Sequence, residues 1–238
     1  MKAFILAAGL GTRLFPFTSD KPKALVELNG ITLLERAIRK VNELEVSEII
    51  VNVHHFGDQV IDYLNKKKNF NLPLTISDER EELLDTGGAI LKARQLLENN
   101  GPFLVYNVDV LSSIDLKALM DFHNRKAGIA TLSVRERATQ RYLVFNPEML
   151  LSGWRNVKTG EERLVRNDKR LTNFAFSGIQ IIEPEIFSLI TETGKFSLIQ
   201  LYLRLAKSEN IYGYHDQSEL WMDLGKPEQL AAAEKLYH

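Results

Sequence analysis

Short apolar runs alternate with helically spaced apolar residues along the first half of the chain. The runs predict buried strands over residues 4–7, 48–53, 74–77 and 103–106. Apolar residues three and four positions apart predict helices over residues 32–44, 58–67, 88–97 and 115–126, and Thr32 has the residue type of an N-cap. This alternation is typical of an α/β fold, in which helices cover both faces of a mostly parallel sheet.

The pattern changes beyond residue 129. Strand-like segments predict a mixed or antiparallel part of the sheet over residues 130–134, 142–145 and 174–182. The polar stretch 155–170 predicts an exposed hairpin or flap. A helix over 197–207, strands over 211–214 and 220–222, and a last helix opened by Pro227 complete the chain. No repeat or linker interrupts it, so we expect a single domain over residues 1–238.

Composition narrows the classes of protein that this chain can belong to. Its 238 residues are 45% hydrophobic, which is enough for a large core and excludes a disordered chain. The net charge of −1 gives no general attraction for nucleic acid or an anionic membrane. The absence of cysteine excludes disulfides and fits a reducing compartment. No apolar run approaches the ~20 residues of a membrane-spanning helix, so a cytoplasmic protein is expected.

A glycine-rich turn follows the first predicted strand and Ala8. Gly9 and Gly11 can adopt backbone angles closed to other residues and allow backbone amides to approach a ligand closely. Thr12 and Arg13 add a hydroxyl and a permanent cation, and Lys23 adds a second cation ten residues later. Glycines and cations in this order predict a phosphate-binding loop.

This segment fits neither of two better-known loops, because it lacks both the P-loop pattern and the third glycine of a dinucleotide fingerprint. The run GLGTRLFPFTSDKPK instead resembles the signature of sugar-nucleotide pyrophosphorylases, G-x-G-T-R-[LM]-x-P-x-T-x-x-x-P-K. Nine positions match it in order: Gly9, Gly11, Thr12, Arg13, Leu14, Pro16, Thr18, Pro22 and Lys23. Ala24 departs from the proline or methionine that is more frequent in the family, a change that concerns packing rather than charge.

The resemblance covers nearly the whole chain and implies both a fold and a reaction. The implied fold is Rossmann-like and of glycosyltransferase-A type, with a nucleotide-binding half over 1–128 and a sugar-binding and lid half over 129–238. The implied reaction joins a sugar 1-phosphate to an NTP, releases pyrophosphate and gives a nucleotide sugar, a cell-wall or polysaccharide precursor. Arg13 would then hold the departing pyrophosphate and Lys23 would bridge the reacting phosphates. The implied nucleotide-binding residues are Ala8, Gly9, Gly11, Thr12, Gly87, Gly88 and Asn107.

Two aspartates each follow a predicted strand. Asp109 comes just after residues 103–106, where open α/β sheets bind ligands, and Asp223 ends the strand of the Trp221–Asp223 segment. Either could serve only as a turn or capping residue. In the resembled family, aspartates at these two positions hold a metal, which implies Mg²⁺ on Asp109 and Asp223. An NTP brings about four negative charges and a sugar 1-phosphate nearly two. Two carboxylates would repel these phosphates unless a bound cation neutralised them.

Two further segments resemble uridylyltransferases that act on N-acetylmuramate 1-phosphate. Thr86-Gly87-Gly88 resembles a stretch that contacts the nucleobase, which favours uridine over guanosine, although its glycines equally suit tight helix packing. Ser177 and Gly178 lie in an F-S-G-I segment like the strand beside the sugar, which is also ordinary strand patterning. They are the predicted sugar-binding residues.

Two alternative functions stay open at this point. A phosphocholine-type cytidylyltransferase would use a similar loop, and a non-catalytic regulatory subunit would bind a nucleotide sugar without reacting it. The second lysine of thymidylyltransferases, in a Glu-Lys-Pro segment, is missing here; Lys158 either replaces it or lies on an exposed turn. His54 and His55 lack a third ligand nearby and are read as structural. The sequence does not decide between a monomer and a homo-oligomer.

Overall fold

The computed structural model describes residues 1–99 and 101–236, which build one large mixed sheet flanked by helices. The strands are β1 (Lys2–Leu6), β2 (Glu27–Leu28), β3 (Ile31–Thr32), β4 (Glu48–Val53), β5 (Leu74–Asp78), β6 (Phe103–Asn107), β7 (Val110–Ser112), β8 (Ala130–Arg135), β9 (Arg141–Phe145), β10 (Leu151–Asn156), β11 (Glu161–Leu164), β12 (Thr172–Ile182), β13 (Ile211–His215) and β14 (Trp221–Asp223). The α-helices are α1 (Leu33–Val41), α2 (Gly57–Lys66), α3 (Asp85–Lys92), α4 (Arg94–Leu97), α5 (Leu116–Lys126), α6 (Ile186–Leu189), α7 (Leu198–Leu205) and α8 (Pro227–Leu236). Short 3₁₀ helices cover Thr12–Leu14, Lys23–Leu25, Asn42–Leu44 and Lys68–Asn71.

The main sheet is parallel in its first half and becomes mixed in its second. Its strands follow the order β11-β10-β9-β12-β6-β1-β4-β5; in addition β8 pairs with β12, and β13 pairs with β8. Strands β5, β4, β1 and β6 are parallel neighbours, whereas β12 runs antiparallel to β6, β8 and β9. The predicted Rossmann-like, mostly parallel sheet is therefore confirmed, together with its antiparallel extension.

Side chains from both faces of the sheet build two hydrophobic clusters. On β1, Ala3 and Ile5 belong to the cluster under α1 and α8, while Phe4 belongs to the one under α3 and α7. Alternate residues of a strand point to opposite faces, so the apolar run of β1 supplies both clusters. The prediction that helices cover both faces is confirmed.

Helix starts follow local capping chemistry. The Thr32 side chain accepts a hydrogen bond from the Glu35 backbone N–H at 3.1 Å, as an N-cap should. Asp115 and Ser197 cap α5 and α7 in the same way, so each of these helices begins one residue after the predicted start. Every helix within residues 1–99 and 101–236 is too short or too polar to cross a lipid bilayer.

Strand β12 is irregular where it passes the second half of the sheet. Its register against β8 shifts between Phe176 and Gln180, and Gly178 there has a φ of +77°. Beyond this bulge β9, β10 and β11 form an antiparallel extension, and the β10–β11 hairpin is exposed at its tip, as the polar stretch predicted. Lys158 lies exposed in that hairpin turn.

His123 is fully buried on α5, and we expect it to make stability depend on pH. Its Nδ1 lies 2.8 Å from Thr131 Oγ1 and its Nε2 3.1 Å from Glu183 Oε1. Burial lowers the pKa of His123 below its usual 6.5, against the attraction of the Glu183 carboxylate. The unfolded chain then binds a proton more readily than the folded one, so stability falls as pH drops below 6.5.

Thermal unfolding of the wild type and of His123→Gln between pH 7.5 and 5.5 measures this effect. The fall in Tm on acidification should be smaller in His123→Gln, whereas His55→Gln, at an exposed position, should behave as the wild type. Identical pH profiles for all three proteins would show that His123 titrates alike in the folded and unfolded chains.

Candidate active site

The carboxyl ends of β1, β4 and β6 open into one cleft of about 370 Å³. This is the edge at which open α/β sheets bind ligands. Five residues predicted from the sequence line it: Ala8, Gly9, Lys23, Asn107 and Asp109. Other residues that line it are Leu6, Asn52, Glu79, Leu83, Asp85, Thr86, Val108 and Lys195.

The glycine-rich turn folds back onto Lys23 because Gly11 takes a left-handed conformation, with φ of +67°. Its carbonyl accepts hydrogen bonds from the Leu14 N–H and the Thr18 hydroxyl, both at 2.9 Å. A Cβ at Gly11 would lie 2.9 Å from Thr18 Cγ2 and 3.1 Å from Lys23 Cβ. Glycine is therefore required both for the backbone angle and for the close approach.

Asn52 and Glu79 support the start of this turn from behind, and the sequence analysis missed both. Asn52 Oδ1 accepts hydrogen bonds from the backbone N–H groups of Ala7, at 2.6 Å, and Ala8, at 3.2 Å, while its Nδ2 donates to Glu79 Oε1 at 2.8 Å. Burial raises the pKa of Glu79, and the bond from Asn52 opposes this. A lone asparagine in the apolar strand Glu48–Val53 was the available signal, since a buried amide needs partners.

Lys23 and Asp109 form an ion pair in the cleft. Lys23 is only 8% exposed and is held by the 3₁₀ turn Lys23–Leu25, while Asp109 sits in the turn between β6 and β7. A buried lysine is costly without a partner. The pairing shows that a residue of the glycine-turn segment and one after the central strand share one site, as the sequence predicted.

Asp223 joins them through the small sheet of β14 and β7. Asp223 lies opposite Val110, and the Leu224 N–H donates to the Asp109 carbonyl at 2.8 Å. Burial raises the pKa of Asp223, and the Asp109 carboxylate raises it further, against the opposing charges of Lys23 and Arg13. Two carboxylates that are distant in sequence are thus close enough to repel each other.

Arg13 lies close to Asp223 and completes this group. A Cβ built on Gly225 would lie 2.9 Å from an Arg13 guanidinium nitrogen and 2.6 Å from Asp223 Oδ1. Gly225 therefore gives Arg13 room beside Asp223. The structure brings together the four charged residues that the sequence singled out, two cations and two carboxylates.

The two carboxylates suit Mg²⁺, which usually takes one or two protein carboxylates and fills its other positions with water and phosphate oxygens. Among residues 1–99 and 101–236, they are not part of a metal-binding cluster of three or more His, Asp or Glu side chains. Two adjacent, partly buried negative charges stabilise a cation between them. The donor set thus fits the implied ion.

Gly87 and Gly88 lie on α3 behind the cleft. Both of their N–H groups donate to the Phe196 carbonyl, at 2.9 and 3.3 Å. A Cβ on Gly87 would overlap the Phe196 ring, and one on Gly88 would overlap the Gly194 carbonyl. Tight helix packing accounts for the presence of glycine at both positions. Contact of these glycines with a nucleobase stays a prediction. Asp85 and Thr86 are the residues of this segment that line the cleft.

Ser177 and Gly178 occupy the bulge of β12. Ser177 is fully buried, and its carbonyl accepts a hydrogen bond from Trp221 Nε1 at 2.9 Å. A Cβ on Gly178 would lie 2.9 Å from Asn107 Nδ2. The structure gives both residues a supporting position, and direct sugar contact stays a prediction.

A second cavity of about 600 Å³ adjoins the cleft, and Asp85 lines both. Polar and aromatic side chains from β9, β10, β11 and α7 surround it. Its lining includes Arg137, Tyr142, Trp154, Asn156 and Gln200. Arg137 and the exposed Lys195 are further cations near the site that the sequence analysis missed, since each stands in a loop without periodic signal.

A mixed Rossmann-like sheet with this cleft at its strand ends is the architecture of a nucleotidyltransferase. The sequence model of the nucleotidyl transferase family matches residues 2–238, and the chain belongs to that family. This confirms the resemblance to sugar-1-phosphate nucleotidyltransferases and the prediction of an enzyme.

Individual proteins agree with this placement. The chain is 34% identical over 237 residues to N-acetylmuramate alpha-1-phosphate uridylyltransferase of Caulobacter vibrioides, covering 98% of this chain and 95% of that protein. It is 30% identical to mannose-1-phosphate guanyltransferase 2 of Candida glabrata, covering all of this chain but only 64% of that protein. The crystal structure of HddC from Yersinia pseudotuberculosis has the same fold, with a TM-score of 0.80 at 23% identity, covering 100% of this chain and 99% of that one.

Proposed function

We propose that the protein transfers a uridylyl group from UTP to the phosphate of an N-acetylmuramate-like sugar 1-phosphate, releasing pyrophosphate. The observation that carries the reaction class is the convergence of Lys23 and Asp109, which line the cleft, with Asp223, which interacts electrostatically with both. The choice of UTP rests on the uridylyltransferase of Caulobacter vibrioides, which this chain matches along nearly the full length of both proteins.

In this reaction an oxygen of the sugar phosphate forms a bond to the α-phosphorus of UTP, and the bond from that phosphorus to the bridging oxygen of pyrophosphate breaks. The attacking oxygen is already ionised near neutral pH, so no general base is needed. Catalysis then depends on holding two anions in line and on stabilising the charge that develops. Lys23 would bridge the phosphates, and Arg13, close to Asp223, would hold the pyrophosphate.

Asp109 and Asp223 would hold Mg²⁺, which offsets phosphate charge and aligns the phosphates when it is bound. The Lys23–Asp109 ion pair supports this assignment, because it neutralises one carboxylate until substrates arrive. Lys23 would then exchange Asp109 for a phosphate oxygen. The second cavity, polar and adjacent, provides room for the sugar.

Guanylyl transfer is the second candidate, because the Candida glabrata guanyltransferase also matches all of this chain at 30% identity. Cytidylyl transfer to phosphocholine has no such support. A panel of UTP, GTP, CTP and dTTP against N-acetylmuramate, mannose and glucose 1-phosphates, read by pyrophosphate release, tests the proposal.

We expect the highest kcat/KM with UTP and N-acetylmuramate 1-phosphate, and loss of activity with EDTA that excess Mg²⁺ restores. Faster turnover with GTP would overturn the base assignment and leave the reaction class intact. Pyrophosphate release with none of the pairs, from a folded protein, would refute the proposal itself.

A further inference from the structure

The second cavity contains more positive than negative charge. Arg137, Arg141 and Arg163 all line it. Arg163 is neutralised by Glu161, with its Nε 2.8 Å and Nη2 2.6 Å from Glu161 Oε1. In the part of the chain that the structure describes, Arg137 and Arg141 have no acidic partner at ion-pair distance. The cavity therefore favours an anionic ligand.

Arg137 is the one of these two that is fixed in position. Its guanidinium lies over the ring of Trp221, 4.1 Å from the centroid, and its Nη2 donates to the Phe176 carbonyl at 3.0 Å. The Trp221 ring is itself held by its hydrogen bond to Ser177. An arginine that is stacked and anchored in this way loses little conformational entropy when it binds a ligand.

The hydrogen-bonding capacity of Arg137 is left largely unused. A guanidinium has five N–H donors, while Phe176 supplies one acceptor and the buried Nε has none. Burial lowers the pKa of Arg137, and the negative charge of Asp223 raises it again. Arg137 thus lies within electrostatic reach of Asp223 without pairing with it, and it lines the second cavity.

The proposed function puts the attacking phosphate beside Arg137, between the second cavity and the aspartates. If the sugar fills the second cavity and the α-phosphate of the nucleotide lies at Lys23 and the aspartates, the sugar phosphate lies between them. That phosphate carries nearly two negative charges. Lys23 would be shared between the two reacting phosphates, and Arg13 lies beside Gly225 and Asp223, so a further cation on the side of the second cavity would stabilise the acceptor phosphate.

We propose that Arg137 is a catalytic residue that binds the phosphate of the sugar 1-phosphate and orients its attacking oxygen. Lys158, by contrast, lies in an exposed turn and outside the second cavity. This inference rests on the proposed function, because it presupposes a sugar 1-phosphate as acceptor. The bond changes are those given above, and Arg137 supplies charge and position without exchanging a proton.

Steady-state kinetics of Arg137→Gln and Arg137→Lys test the role. In Arg137→Gln the KM for the sugar 1-phosphate should rise about 30-fold or more, as expected when one partner of a charged hydrogen-bonded pair is removed. The KM for the NTP should change less than about threefold. Arg137→Lys should recover part of the loss, because it keeps the charge but not the planar fork. Arg125→Gln, at an exposed position of α5 outside both cavities, is the control and should stay near wild type.

Tryptophan emission gives a second measurement that does not depend on turnover. The chain has two tryptophans, so Trp154→Phe leaves Trp221 as the sole reporter beneath Arg137. Titration of the Trp154→Phe protein with the sugar 1-phosphate should change this emission, and the added Arg137→Gln substitution should abolish the change.

The outcomes separate the two proposals. An active wild type with unchanged sugar 1-phosphate kinetics in Arg137→Gln would overturn the role of Arg137 and leave the function standing. Equal losses for both substrates, together with a lower Tm, would show that Arg137 only supports Trp221. A wild type inactive with every sugar 1-phosphate would refute the proposed function first.

Discussion

Replacing Lys23 with alanine should lower kcat by about 10³-fold, the scale of effect found for cations that stabilise a phosphoryl-type transition state. Lys23 is the most buried cation of the cleft and the one paired with Asp109. Its charge is needed most when the α-phosphorus carries both the attacking and the departing oxygen. Initial rates of pyrophosphate release at saturating substrates measure the loss.

Lys23→Ala should also change the Tm of the protein. Without Lys23, Asp109 and Asp223 repel each other in a partly buried site, so the Tm of Lys23→Ala should fall in EDTA and recover in Mg²⁺. Lys21→Ala, at an exposed position two residues earlier, is the control and should match the wild type in both assays. Near-normal kcat in Lys23→Ala would remove Lys23 from the mechanism.

Replacing Asp223 with asparagine should reduce Mg²⁺-dependent turnover by at least about 10²-fold, because changes in the outer shell of a metal site alone cost up to that much. Asp223→Asn should also stabilise the ion-free protein, whereas most substitutions of partly buried residues destabilise a protein. Burial and Asp109 raise the pKa of Asp223, so its charge destabilises the ion-free protein at neutral pH. Asp223→Asn should therefore have a higher Tm than the wild type in EDTA.

Thermal unfolding with and without Mg²⁺ checks this second prediction. Because Lys23 pairs with Asp109, the wild type should gain little stability from Mg²⁺ alone and more from Mg²⁺ added with UTP, while Asp223→Asn should gain little from either. Glu219→Gln, an exposed acidic position nearby, should respond as the wild type does. If Asp223→Asn lost activity but kept the full Mg²⁺-dependent rise in Tm, the aspartate would act elsewhere than at the metal.

Local signals in the sequence predicted most of the fold. The strand over residues 48–53 has the predicted bounds, since its apolar pattern stops at both ends, and Thr32 caps its helix as expected. Asp109 was singled out because it follows a strand, and Asp223 because it ends one. Their closeness, however, depends on pairing between two three-residue strands, β7 and β14, which are too short to have a pattern of their own.

The remaining features depend on contacts between distant segments. The close packing of Gly87 and Gly88 involves Gly194 and Phe196, about a hundred residues later. Nothing local in the segment Arg135-Glu136-Arg137 separates a solvated arginine from one stacked on Trp221. These long-range contacts form only when the sheet brings the two halves of the chain together, so local sequence patterns do not predict them.

The ion pair between Lys23 and Asp109 has a consequence for the order of events in each catalytic cycle. Lys23 already neutralises Asp109, one of the two carboxylates of the proposed metal site. A divalent ion that bound there alone would have to displace the Lys23 ammonium group and leave it without a counter-ion, whereas an ion bound to a triphosphate would offer that group a new anion. The proposed mechanism therefore favours binding of metal and nucleotide as one complex over binding of the metal first.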